Sequence, residues 1–416
     1  MSTSTTPAAA PEVAEPPVKS STPAAPAGSS VWREILTGLL AVVLALVVAA
    51  VIICLADPAV RAAAAYFFAS PGDLFAAAWH AVGPAYGWLF RGSIVDPATF
   101  SSGSATEILG SISETLVYAG PVTLAGLSVA IAFRSGLFNI GGQGQVVIGA
   151  ATAGFVGFTL DLPWPIQVPL VLLAGMIGGA VWGGIAGGLK ARTGAHEVIT
   201  TIMLNYIGVN VLALLLSVRW FQAPPFTDAI SRTVNPGTKY PRLFGSSLRA
   251  NIGILVVVAL CVVVWYILER TTLGFRLRAI GINPAAARTA GMSVGGGAVW
   301  AMVLAGALCG AAGAAQIMGP SDQVVGGIDN GVGFDGITVA LLGRGKPAGV
   351  LAAGLLFGAL RAGGQRMASQ TGTPVDLVSV VQALTVLFIA APALIRTVFR
   401  MRAEGSSLGQ TAAKGW

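Results

Sequence analysis

Side chains that can hydrogen-bond or carry charge stand inside, or at the ends of, long apolar runs: Glu114, Asn139, Gln143, Gln145, Glu197, Asn205, Asn210, Gln316, Asp335 and Gln382. An unpartnered polar group in such a run is costly, so each must pair with another, with backbone, or with water in a cavity. Amides outnumber acids deep in the runs, which suits a neutral, hydrogen-bonding cargo better than proton or ion coupling. The alternative for any single residue is that it only ties helices together. SGLFNIGGQGQ, residues 135–145, concentrates glycine and amides at a helix start. There Gly141, Gly142 and Gly144 loosen regular helix and leave backbone groups free beside Asn139, Gln143 and Gln145.

Chemistry of the bond-breaking kind has no support. No Lys followed by Ser or Thr completes a phosphate loop, and GRGKPAG at 343–349 puts Pro347 where the hydroxyl belongs. The chain therefore does not hydrolyse ATP by itself. There is no G-x-S-x-G nucleophile elbow, and His196-Glu197 lacks the second histidine of a zinc pair. Cys54, Cys261 and Cys309 lie inside apolar runs without metal-type spacing, and His80 and His196 are far apart. We expect no catalytic residue, no metal and no cofactor bound by this chain.

Residues 269–292, ERTTLGFRLRAIGINPAAARTAGM, set four arginines between two apolar runs. Phe275, Leu277 and Ile280 are expected on one side of a short helix with Arg276 and Arg278 elsewhere on it. Asn283-Pro284 then makes a turn that starts a second helix with Pro284 near its first position. Such a helix-turn-helix elbow either receives a partner outside the bilayer or is a basic loop against anionic lipid.

The elements that position these residues follow from composition. Of 416 residues 55% are hydrophobic and 10% charged, with mean hydropathy +0.78, which excludes an ordinary soluble globule. Apolar runs of about 18 residues or more recur, as membrane-crossing helices require, where barrel strands would alternate. The expected fold is all-α, a polytopic transmembrane bundle of about ten spans: 34–56, 108–132, 138–159, 165–189, 197–218, 251–268, 296–319, 334–343, 347–363 and 376–396. The run 334–343 is too short to span, so it reads as a broken or re-entrant helix, tolerable only inside protein or beside water. Residues 57–107, with Trp79, Trp88 and Phe90, read as interfacial helices outside the membrane. Residues 1–30 are Ala-, Pro-, Ser- and Thr-rich and are expected to be a disordered tail rather than a secretory signal; 401–416 form a second tail.

Gly175, Gly179, Gly183 and Gly187 recur every four residues, which on a helix makes a groove where another helix can lie close. Its partner belongs either to this chain or to another subunit. The net charge of +7 comes from inter-helix loops and the C-terminus without a continuous basic face, so nucleic acid is not a partner. An N-terminus in the cytoplasm places most of the 24 Lys and Arg inside, among them Lys190, Arg192, Arg344, Lys346, Arg396, Arg400 and Arg402. The loop 219–250 opposes this, because Arg219, Arg232, Lys239, Arg242 and Arg249 fall outside.

GLFNIGGQGQ at 136–145, HEVITTIMLNYI at 196–207, TTLGFRLRAIGINPAAARTAGM at 271–292 and GFDGITVALLGRGKPAGVLAAGLLFGAL at 333–360 resemble the permease subunits of bacterial ABC importers of the branched-chain amino acid, simple sugar and nucleoside group. The likeness runs from about 108 to 396, and EVITTIMLNYI is most similar to the longer permease of nucleoside importers. Two departures stand out: the polar N-terminus, and GGQG where similar chains often read GAEG, so that Gln143 replaces an acid.

The resemblance implies a type II importer-like permease domain over 108–400, preceded by a first helix and outer segment at 31–107. It implies a pathway formed with a second, homologous permease in the bacterial cytoplasmic membrane, both termini cytoplasmic and the surface in contact with lipid. A cytoplasmic ATPase would spend ATP and Mg, and an external substrate-binding lipoprotein would deliver nucleoside. The coupling segment 269–292 carries Phe275, Arg276, Leu277, Arg278, Ala279, Gly281, Asn283 and Pro284 into a groove of the ATPase. Asn139, Gln143, Asn205, Asn210 and Gln316 are the expected pathway residues. Other readings are a permease for simple sugars such as ribose or galactose, an ATP-independent transporter or channel using Asp335 and the broken 334–343 helix, and a non-transporting scaffold.

Overall fold

The computed structural model describes residues 27–390 apart from 103, 246 and 373–375. Nearly all of the expected N-terminal tail, the C-terminal tail and Arg396, Arg400 and Arg402 lie outside them. In chain order the helices are α1 Ala27–Ala56, α2 Pro58–Ala65, α3 Pro71–Ser93, α4 Ala105–Ile108, α5 Gly110–Arg134, α6 Gly142–Thr159, α7 Trp164–Thr193, α8 Glu197–Ser217 and α9 Gly253–Arg270; then α10 Thr272–Ile282, α11 Pro284–Thr289, α12 Val294–Met318, α13 Val332–Leu342, α14 Pro347–Thr371 and α15 Asp376–Ala390. Among the described residues β-pairing is limited to three isolated bridges. The protein is a polytopic helical bundle.

Among the described residues seven helices are long and apolar enough to cross a membrane: the Gly38–Ala56 part of α1, and α5, α7, α8, α9, α12 and α14. The other expected spans differ for identifiable reasons. The run 138–159 becomes helical only at Gly142, and Gln143 and Gln145 in its first turn lower its hydropathy. The run 334–343 is the 11-residue α13, and 376–396 is described only as far as Ala390. In the outer segment, the far part of α3 buries Ala85 and Leu89 while Phe75 and Trp79 stay exposed. Its end is pinned to α5, as Ser111 donates to the Arg91 carbonyl at 2.6 Å and Thr115 to that of Ser93 at 2.6 Å.

Close backbone approach holds the core together, since lipid tails supply no hydrophobic drive between helices. The glycine groove of α7 takes α12 of the same chain. A Cβ at Gly175 would meet the Gly310 carbonyl at 2.8 Å, one at Gly187 would meet the Val299 Cα at 2.9 Å, and Gly179 and Gly183 abut the carbonyls of Gly306 and Met302. α12 is gripped from its other side by α6, where a Cβ on Gly149 would fall 2.7 Å from the Gly310 carbonyl. The central cluster around Leu124, Val146, Leu308, Val339 and Phe357 is fully buried and includes Cys261 and Cys309.

The bundle has two distinct ends. α10 and α11 join the end of α9 to the start of α12 and sit at one end, together with the α13–α14 turn. At the other end the segment 218–252 clasps the loop after α12: Ser231 N donates to the Val324 carbonyl at 2.9 Å and Val234 N to that of Asp322 at 3.0 Å. Lys239 pairs with Asp322 and donates to the Ile317 carbonyl at 3.1 Å. Burial draws the Lys239 ammonium below the usual lysine range while Asp322 pulls it back up. Arg249 pairs with Glu114 at 2.9 Å. Two of the basic residues that opposed the expected orientation are thus internal ties of this end.

Candidate functional site

Near the middle of the bundle the starts of two helices meet. Gly142 opens α6 and lies against Gly333 in the first turn of α13; a Cβ at Gly142 would sit 2.7 Å from the Gly333 carbonyl, and one at Gly333 would sit 2.6 Å from the Gly142 carbonyl carbon. The loose glycines of 135–145 are required here by contact. Unpaired N–H groups at helix starts favour acceptors and negative charge. Pairs of interrupted helices meeting inside a bundle are a recurrent way to build a transport site.

Amides satisfy the α6 start. The Asn139 side chain donates to Ser128 at 3.2 Å and to Gln145 at 2.9 Å, and it accepts from Gly141 N at 3.0 Å and from Gln145 at 3.1 Å. Asn205 reaches across from α8, accepting from Gly144 N at 2.8 Å and donating to the Ile140 carbonyl at 2.9 Å. Both are buried, and their bonds are made within the chain. Replacing Asn205 with Leu leaves Gly144 N–H and the Ile140 carbonyl unpaired, at about 1–3 kcal/mol each. The expected outcome is a lower melting temperature and faster proteolysis near residue 140, read on the purified protein against wild type.

On the α13 side, Gln143 adjoins the buried Asp329, which accepts from Gly331 N at 3.2 Å. Arg361 of α14 donates to the Asn330 carbonyl and stands 3.6 Å from Asp335. Asn330 and Gly331 both have positive φ, 48° and 78°, a left-handed turn that brings the loop back into α13. The structure therefore gathers Asn139, Gln143 and Asn205 at one place and sets Asn210 and Gln316 elsewhere. Gln316 is buried near the end of α12.

Asn210 lies on the exposed face of α8. It donates to the Tyr206 carbonyl one turn back at 2.8 Å. Tyr206, 67% exposed, stands beside it near the middle of the helix, flanked by exposed Met203, Ile207 and Leu214. An exposed phenol and amide halfway along a membrane-crossing helix are poorly placed against lipid tails.

The elbow residues divide by face. The inward face of α10 is Gly274, Leu277 and Ile280; Phe275, expected with Leu277 and Ile280, points outward and is 58% exposed. The reason is the 3.6-residue turn, which puts 274, not 275, in line with 277 and 281. Arg276, Asn283 and Pro284 are exposed, and Ala279 is half-buried. Arg278 is tied to Glu269 at 2.5 Å. Gly281 is pressed on the α5–α6 junction, where a Cβ would lie 2.8 Å from Gly136 N. Asn283 caps α11, accepting from Ala285 N and Ala286 N at 3.0 Å each, as the Asn-Pro turn predicts.

Sequence reasoning passed over Tyr206, Asp329, Arg361 and Ile282. Arg361 carried a signal, a lone cation within the apolar run 347–363. Tyr206 reads as one more apolar residue until the packed face of α8 is known.

A helical permease with an interrupted-helix centre is the class this geometry defines. The chain belongs to the family described as branched-chain amino acid transport system / permease component, whose pattern matches residues 111–390. It is 38% identical over 298 residues to the guanosine ABC transporter permease protein NupP of Bacillus subtilis, covering 71% of this chain and 86% of that protein. It is 36% identical over 303 residues to the nucleoside ABC transporter permease protein NupB of Lactococcus lactis, covering 71% and 83%. The glucose ABC transporter permease protein TsgB13 of Haloferax volcanii is 34% identical over 309 residues, covering 71% and 80%. B. subtilis and L. lactis each hold a second, more distant relative, the permease proteins NupQ and NupC, at 29% and 25% identity. No solved structure matches the chain. The chain is a multi-pass membrane permease, a transport subunit.

Proposed function

We propose that this chain imports nucleosides across the bacterial cytoplasmic membrane as one of two permease subunits of an ABC transporter. A separate cytoplasmic ATPase supplies the work using ATP and Mg, this chain binds no cofactor, and an external lipoprotein presents the substrate. The α10 end and both termini face the cytoplasm. Supporting this side are Arg134, Lys190, Arg192, Arg270, Arg276, Arg278, Arg288, Arg344 and Lys346, which cluster at that end.

The observation that carries the reading is the exposed Tyr206–Asn210 pair at mid-span of α8. A flat phenol and an amide beside it suit a nucleoside, whose base has a π-face and whose ribose and base edges hydrogen-bond. The second permease covers this face and leaves a watery path between the two. Asn139 and Asn205 then hold the start of α6, Gln143 links it to the Asp329 loop, and Gln316 supports the far end of α12.

The test is uptake kinetics with the assembled transporter. Tyr206→Ala and Asn210→Ala are each expected to raise the KM for guanosine about tenfold, near the stacking or hydrogen-bond energy lost, with ATPase association intact. Unchanged KM in both variants would sink the assignment. A sugar cargo is the second reading, favoured by the similarity to a glucose permease; competition of labelled guanosine by glucose would favour it.

A further inference from the structure

The elbow is fastened to the rest of the bundle by one carboxylate. Glu269 near the end of α9 accepts from Arg278 of α10 at 2.5 Å and from Arg134 at the end of α5 at 3.0 Å. Arg134 uses its Nε to donate to the Gly345 carbonyl at 3.2 Å. Gly345 lies in the turn that joins α13 to α14, where Arg344 and Gly345 both have positive φ, 55° and 61°. All three charged side chains are partly shielded, at 25% exposure for Arg134, 33% for Glu269 and 30% for Arg278.

The rest of α10 behaves as a bar. Thr271 caps it, accepting from Gly274 N at 3.1 Å and donating back to the Ile267 carbonyl at 2.6 Å. Gly274 is seated on the last turn of α9, with a Cβ there 2.7 Å from Leu268 Cα. At the other end of α10, Gly281 rests on the backbone of Arg134 to Gly136, directly before the stretch that leads into α6. A displacement of α10 thus has two outlets. One presses on the chain entering α6. The other pulls, through Arg278, Glu269 and Arg134, on the turn at the far end of α13. α6 and α13 are the two helices whose starts meet at Gly142 and Gly333.

We infer that Glu269 is a positioning residue for transport: its carboxylate, shared by Arg278 and Arg134, links movement of α10 to the α13–α14 turn and so to the interrupted-helix centre. This rests on the proposed docking of α10 to an ATPase. Coupling needs a physical element that both sites bias, and the part assigned to the charge-linked α13–α14 turn is that of this element. Substituting the isosteric Gln keeps the volume of the node and removes the charge that holds two guanidiniums together.

The experiment uses the whole transporter in proteoliposomes and measures substrate moved per ATP hydrolysed. Glu269→Gln and Arg278→Gln are each expected to lower that ratio about tenfold, within the usual range of coupling between sites, while the ATPase co-purifies in normal amount. The double variant is expected to be no worse than either single one, the signature of one linked unit. An unchanged ratio in an intact complex overturns the inference. So does a loss of complex that lowers uptake and hydrolysis in proportion, because that is a structural role. Docking is read separately by Ala286→Cys, at an exposed position of the adjoining α11, in otherwise unaltered protein. Cross-linking to the ATPase with an unchanged Glu269→Gln ratio rejects the relay alone, whereas absence of the cross-link rejects the docking on which it rests.

Discussion

Replacing Phe275 and Ile282 together with Asp is expected to strip the ATPase from the permease during purification, leaving the permease itself folded. Both side chains stand free at the α10 end, 58% and 87% exposed, about two turns apart on the outward face of a short helix. Buried apolar anchors of this kind account for about 2 kcal/mol or more each at a protein interface, so losing both and introducing two carboxylates weakens binding by more than about a thousandfold. Because neither side chain packs inside the bundle, the melting temperature of the permease stays near that of wild type. Co-purification followed by quantitative electrophoresis reads the result. A complex that survives with unchanged stoichiometry would show that α10 does not dock. Gly281, by contrast, is a poor probe of docking: any side chain there collides with the α5–α6 junction and would disturb the fold first.

Gly310→Leu is expected to abolish assembled protein altogether. Gly310 is gripped between α6 and α7: a Cβ there meets the Gly175 carbonyl, lies 2.9 Å from its carbonyl carbon and 3.1 Å from Gly179 Cα, all backbone that cannot turn aside. Overpacking in ordinary cores costs about 1–3 kcal/mol, but here three helices must separate together, and the penalty exceeds that. Size-exclusion profiles after detergent extraction provide the measurement, with Val181→Leu on the exposed face of α7 as the control that remains monodisperse. Normal recovery of Gly310→Leu would mean that the α7–α12 crossing is not the keystone of the bundle.

The architecture was largely readable because hydropathy and glycine spacing are properties of single segments. A groove at Gly175, Gly179, Gly183 and Gly187 announces itself, but nothing in its spacing names α12 as the occupant. The start of α6 at Gly142, four residues later than the apolar run suggests, is set by Asn205 reaching from a different helix to bond Gly144 N. Contacts over that sequence separation leave no local trace. The inward face of α10 was misjudged at one position because Gly274 shows no hydrophobic signal, so Phe275 took its place in the pattern. Amides inside apolar runs were visible, yet whether an amide serves cargo or backbone depends on what surrounds it. Asn139 is filled by Ser128, Gly141 and Gln145, whereas Asn210 looks outward with one bond to its own helix. Lys239 and Arg249, two of the five basic residues in 219–250, are likewise bound to partners distant in sequence, Asp322 and Glu114.

Transport by the reconstituted complex measures the proposed function most directly: this chain, its second permease, the ATPase and the receptor in one vesicle, with labelled guanosine outside and ATP within. The expected result is ATP-dependent accumulation of guanosine, competed by other nucleosides and not by glucose, and absent when any one subunit is withheld. Guanosine uptake without ATP by this chain alone, or accumulation of glucose with guanosine excluded, would contradict it.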